Sequence, residues 1–231
     1  MRQLAAFLAL VLLVFGFTFT LTTAQINFVP PRAVYAGDLI YPDTIASGLV
    51  MLSIGLDSAG HVKDLKTLRD VPSATGHSLM AANAWTFAAA TFQGQAVDST
   101  ITLNILFNPA NMASRSVDLN GPDLGPGARN SQSFTPPHVR SATYASDPAT
   151  TLLSGAVALD IRVDKFGRIR NASAIFTTPS LTDAAISAVK KWRFTPGLFH
   201  DSPIDSNTVV VFVFRPPTTT TPPGSSPVPI H

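Results

Sequence analysis

Apolar and less apolar residues alternate over two stretches of this chain, Val50-Leu52-Ile54-Leu56 and Val157-Leu159-Ile161-Val163. A period of two predicts strands with one face in a core. Each stretch runs into Asp at the first and Gly at the fourth position of a type I turn, Asp57-Ser58-Ala59-Gly60 and Asp164-Lys165-Phe166-Gly167, which predicts a hairpin. The returning strands, residues 61–69 and 168–176, are mixed in polarity and are expected to be more exposed. The period then lengthens. Ala185, Ala188, Val189 and Trp192 fall at i, i+3, i+4 and i+7, one face of a helix, with Ser180 as its expected N-cap and Asp183 opposing the positive end of the dipole. Ser78, Ala81, Ala82 and Trp85 repeat that pattern. Ile101, Leu103, Ile105 and Phe107, and likewise Thr208, Val210, Phe212 and Phe214, predict a third strand in each unit. Strand, strand, helix, strand is an α+β fold: twice over, a helix laid on a small antiparallel sheet.

The two units are copies of one another. A shift of 107 positions superposes residues 48–109 on 155–216 without a gap, with 17 of 62 pairs identical. The shared positions include Gly60/Gly167, Trp85/Trp192 and Phe87/Phe194, the large aromatic and turn residues that a common fold would keep. The resulting division is a leader at 1–24, repeat one at 25–110, a linker at 111–134, repeat two at 135–216, and a Pro/Thr/Ser tail at 217–231 expected to be disordered. Gly121-Pro122 and Gly125-Pro126-Gly127 mark the linker.

Composition narrows the compartment and the chemistry. Met1-Arg2, the 18-residue apolar run from Leu4 to Leu21, and the small residues Thr22-Thr23-Ala24 resemble a cleavable export signal, cut after Ala24. Export places the rest of the chain in the periplasm or outside the cell; an uncleaved run, at the lower limit for a bilayer span, would instead anchor it in the cytoplasmic membrane. The net charge of +2 with only 13% charged residues argues against a nucleic-acid partner. All fourteen acids are Asp and there is no Cys, so Glu-based motifs, thiol nucleophiles and thiolate zinc sites are excluded. The five His residues, 61, 77, 138, 200 and 231, show no metal-ligand spacing, and no G-x-S-x-G elbow surrounds Ser78. Neither a catalytic group, a metal nor a cofactor is expected. A hydrolase would require an Asp pair or a Ser/His group assembled only by folding.

Most marked residues have structural roles. Trp85, Trp192, Phe87 and Phe194 end apolar helical faces and belong to cores. Asp57 and Asp164 with Gly60 and Gly167 form turns. Lys190, Lys191 and Arg193, the single basic cluster, suit a solvated helix end, with partner contact as the alternative. One strand does not fit an exposed sheet: Val209, Val211 and Val213 make the second face of the last strand apolar as well. A strand apolar on both faces needs cover on both. That face is expected to be buried against repeat one, the linker or a partner.

Tyr41-Pro42 ahead of the first strand, the D-x-x-G hairpins, the W-x-F helix ends, and the run Ala184-Ala185-Ile186-Ser187-Ala188-Val189-Lys190-Lys191-Trp192-Arg193-Phe194-Thr195-Pro196 resemble the carboxy-terminal domain of the TonB energy-transducer family. The resemblance implies a non-catalytic domain that captures an extended peptide of an envelope protein, such as an outer-membrane receptor, by adding it as a strand. It directs attention to Tyr41, Pro42, the third strands with Val209, Val211 and Val213, and the basic Lys190, Lys191 and Arg193. It marks Pro196 as structural. Two such domains in one chain could pair as an intramolecular pseudo-dimer. An exported binding module is therefore the leading expectation, and a membrane-anchored energy transducer for outer-membrane transport the alternative.

Overall fold

The computed structural model describes residues 27–37, 47–109, 115–125, 133–146 and 154–215. The apolar leader, Tyr41-Pro42 and the tail at 217–231 lie outside these residues. In the first half the strands are β1 (Phe28–Val29), β2 (Arg32–Tyr35), β3 (Gly48–Leu56) and β4 (Val62–Arg69), then helix α1 (Thr75–Asn83), then β5 (Thr86–Ala88), β6 (Ala90–Phe92), β7 (Gln95–Val97) and β8 (Ser99–Asn108). The second half follows the same order: β9 (Phe134–Thr135), β10 (His138–Ser141), β11 (Gly155–Val163), β12 (Ile169–Phe176), α2 (Thr182–Val189), β13 (Arg193–Thr195), β14 (Gly197–Phe199), β15 (Ser202–Ile204) and β16 (Ser206–Phe214). No helix among the described residues is long and apolar enough to cross a membrane.

The long strands join in one six-stranded sheet, ordered β12-β11-β16-β8-β3-β4. Within each half the pairing is antiparallel, but at the centre β16 runs parallel to β8, with Leu103 opposite Val209 and Phe107 opposite Val213. This register has a consequence for the faces. The internal repeat equates Leu103 with Val210, one residue further on, and a one-residue stagger turns the equivalent side chains to opposite faces of a sheet. The helices therefore lie on opposite sides.

Two cores follow from that arrangement. Under α2, Val157, Leu159, Ile161, Val210 and Phe212 pack with Trp192, and the same layer continues onto Leu49, Met51, Leu68 and Leu106 at the back of the first half. Under α1, Val50, Leu52, Ile54, Leu103 and Ile105 pack with Trp85, and that layer continues onto Ala156, Ala158, Val209, Val211 and Val213. Val209, Val211 and Val213 are each fully buried. Their cover is β2, which touches β16 and β12 and contributes Ala33, with Ala36 just beyond it. Burying each valine side chain contributes about 1.5 kcal/mol or more. A third cluster sits where the short strands of both halves meet, with the Phe28 ring 4.5 Å from Phe199 and 5.0 Å from Phe134.

Two expectations are corrected. Ser180 does not cap α2: the helix starts at Thr182, Leu181 takes the N-cap position without a side-chain bond, and Ser180 has φ of 70°. The turn from Thr178 to Leu181, closed by the Leu181 N–H on the Thr178 carbonyl, sets that conformation, and Thr182 Oγ1 also donates to the Thr178 carbonyl at 3.0 Å. The described part of the linker is also more than a spacer. Its Val117 and Leu119 enter the first core, Tyr144 N–H donates to the Arg115 carbonyl, and Leu124 N–H donates to the Leu68 carbonyl at the edge of β4.

Candidate functional site

A strand-adding domain offers a row of unpaired backbone groups, so the site begins with which edges are free. The third strands are not. β16 is bonded to β11 on one side and β8 on the other, and β8 to β3 and β16, so the backbone beside Val209, Val211 and Val213 is fully used. The seam between them carries a buried polar group of side chains. Thr102 Oγ1 lies 2.7 Å from Thr208 Oγ1 and donates to the Pro137 carbonyl at 2.8 Å; Asn104 Nδ2 donates to Thr208 Oγ1 and to the Val209 carbonyl, both at 3.0 Å. Buried polar pairs of this kind across a seam fix register, and Asn104 Oδ1 has no partner among the described residues.

The outer edges of the sheet are β4 and β12, and they differ. The end of β4 is tied to the linker: beside the Leu124–Leu68 bond, Arg69 Nη2 donates to the Asn120 carbonyl at 3.0 Å, and both Leu68 and Arg69 are buried. β4 also presents Lys63, paired with Asp98 at 2.7 Å, and Lys66, charges of the kind that discourage edge pairing. Ile175 and Phe176, which occupy the equivalent end of β12, stay half-buried, and along the strand Arg170, Asn171, Ser173 and Ala174 are exposed. Beside this edge stands Asp160, opposite Ser173 on β11. Burial pushes its carboxyl up to about 6, only partly offset by the Arg32 guanidinium.

The hairpin turns hold their carboxylates as structure. Asp164 Oδ1 accepts the N–H groups of Phe166 and Arg168, and Oδ2 lies 3.1 Å from both Arg168 Nε and Arg170 Nε. Burial would raise this carboxyl, but those backbone and guanidinium donors outweigh it and hold it below the ordinary value. Asp57 repeats the turn with the N–H groups of Ala59 and His61. A shallow cleft of about 460 Å³ opens beside that turn, lined by Gly60, His61, Asn83, Trp85, Thr86 and Phe87 among others. Trp85 Nε1 is buried with no partner among the described residues, whereas Trp192 Nε1 donates to the Thr143 carbonyl at 3.0 Å. Ser78 is buried and donates to the Ala74 carbonyl. Among the described residues no three His or Asp side chains gather as metal ligands would.

Lys190, Lys191 and Arg193 are exposed at the end of α2, with Arg193 Nη1 donating to the Trp192 carbonyl at 2.7 Å. Pro196 is half-buried between β13 and β14. One repeated feature escapes the 107-residue comparison. Phe28-Val29-Pro30-Pro31 and Phe134-Thr135-Pro136-Pro137 match at a shift of 106, and they begin the segments β1–β2 and β9–β10 that cover the backs of the opposite halves. The F-x-P-P pair was the available signal for that cover, hidden by a single-residue change in spacing.

No curated protein and no solved structure gives a significant match to the chain. The family model described as Gram-negative bacterial TonB protein C-terminal matches residues 142–216, which span α2, its W-x-F end and the three long strands of the second half. Residues 142–216 are therefore similar to the carboxy-terminal domain of Gram-negative TonB proteins.

Proposed function

We propose that this chain is a non-catalytic, exported binding protein of the cell envelope. Its two halves act as one intramolecular pseudo-dimer and capture an extended segment of another envelope protein, such as an outer-membrane receptor, by strand addition at the edge of β12. The observation that carries this reading is the use of β8 and β16 to pair with each other. With those edges spent and the end of β4 tied to the linker, β12 is, among the described residues, the long edge with open backbone and a half-buried apolar end. The match of residues 142–216 to the TonB carboxy-terminal family model supports an envelope protein as partner.

Photo-crosslinking side chains placed at Asn171 and Ser173 of β12 test this in an expressing Gram-negative cell, with Lys66 of β4 as the comparison. Adducts with an outer-membrane protein from β12 alone are expected. Adducts from β4 alone, or none from either edge, would remove β12 as the capture strand. The intact mass of the recovered protein decides between the module and the anchored transducer: a soluble product beginning at Gln25 supports the former, and a membrane-bound product retaining Met1 the latter.

A further inference from the structure

The two halves cover each other's backs unequally. Behind the first half, Leu49, Met51, Leu68 and Leu106 lie under residues 139–145 and also under Val117 and Leu119 of the linker. Their repeat equivalents behind the second half are Ala156, Ala158, Ile175 and Val213, which lie under Ala33 and Ala36. Among the described residues nothing there takes the place of Val117 and Leu119. The exposures record the difference. Leu68 is 2% exposed and Arg69 6%, while Ile175 and Phe176 remain half-buried, and β2 beside them leaves Val34 53% and Tyr35 57% exposed. Among the described residues, an apolar seat filled in one half is only half-covered in the other.

The sequence holds a segment of the matching pattern in the matching place. The linker leaves the sheet at Asn108, and the tail leaves it at the repeat equivalent, Arg215. The linker reaches its seat with Val117-Asp118-Leu119, and the tail carries Val228-Pro229-Ile230, an apolar pair with the same spacing. Nine positions separate Asn108 from Val117, and thirteen separate Arg215 from Val228. An extended chain covers roughly 3.3 Å per residue, so the tail has reach to spare. Pro227 and Pro229 favour an extended backbone and lack the N–H that would compete for a sheet edge.

We infer that Val228 and Ile230 of the tail dock on Ile175 and Phe176, closing the back of the second half as Val117 and Leu119 close the back of the first. This inference does not rest on peptide capture at β12. The chain has no Cys, so Ser226→Cys carries a nitroxide at a single position in isotope-labelled protein. The expected result is loss of more than half the amide signal at Ile175, Phe176 and Tyr35, with Leu68 unaffected. Val228→Asp with Ile230→Asp should abolish that loss and speed amide exchange at Phe176 about tenfold, leaving the rest of the spectrum in place. Broadening spread evenly, or centred on Leu68, would overturn the assignment. So would broadening that appears only when spin-labelled and isotope-labelled chains are mixed, which would give the seat to a second copy, and so would protection at Phe176 that survives the double substitution.

Discussion

Gly60 and Gly167 have φ of 87° and 78°, and a Cβ at either would strike a backbone carbonyl, that of Phe87 or Phe194. Both the backbone conformation and the space demand glycine, so Gly167→Ala should cost about 3 kcal/mol in urea unfolding, strain and overpacking acting together. A loss below about 0.5 kcal/mol would show that the hairpin does not press on β13 as described. Asp160 makes a separate prediction through pH. Its carboxyl rises from 3.8 to about 6 on folding, so the stability it contributes is fully present below pH 3.8 and is lost as pH rises through 6. Asp160→Asn should therefore raise the unfolding midpoint at pH 7.5 and leave it nearly unchanged at pH 4, a difference of up to about 3 kcal/mol. Equal effects at both pH values would mean that the charge is not what burial opposes.

Between elements, the decisive contact is the parallel seam of β8 and β16, where Thr208 Oγ1 serves Thr102 and Asn104 at once. Thr208→Val keeps the shape and removes the acceptor, leaving buried partners short of bonds at a cost of about 1–2 kcal/mol in thermal or urea unfolding. An unchanged midpoint would reduce that polar group to filler. The seam was not legible in sequence, for a physical reason. Alternation along Val157–Val163 and the Ala185–Trp192 spacing are local signals and correspond to β11 and α2. A register between strands a hundred residues apart leaves no local trace; its one symptom was a last strand apolar on both faces at Val209, Val211 and Val213. The short strands β5 to β7 and β13 to β15 were missed because three residues are too few to show a period. The same symptom that pointed to a buried face also removes β16 as an open edge, so reading those valines as burial and as a capture site drew opposite conclusions from one pattern.

For the molecule as a whole, the question is whether either half is complete alone. Cutting the chain to residues 115–215 would strip β16 of β8, expose its row of backbone groups, and uncover Val209, Val211, Val213, Ala156 and Ala158. An unprotected edge beside an apolar face is a template for pairing. The fragment should therefore associate through β16 into dimers or larger species by light scattering, and should unfold at a lower temperature than the full chain. Val211→Asp in the full chain makes the complementary test: a charge replaces a fully buried valine, and at about 3 kcal/mol or more the loss is large against the total stability of a small protein. A monomeric fragment as stable as its parent, together with an unperturbed Val211→Asp protein, would mean that the halves are independent domains that merely touch. The opposite pair of results would make the six-stranded sheet the folding unit, because each half would then lack a wall that only the other supplies.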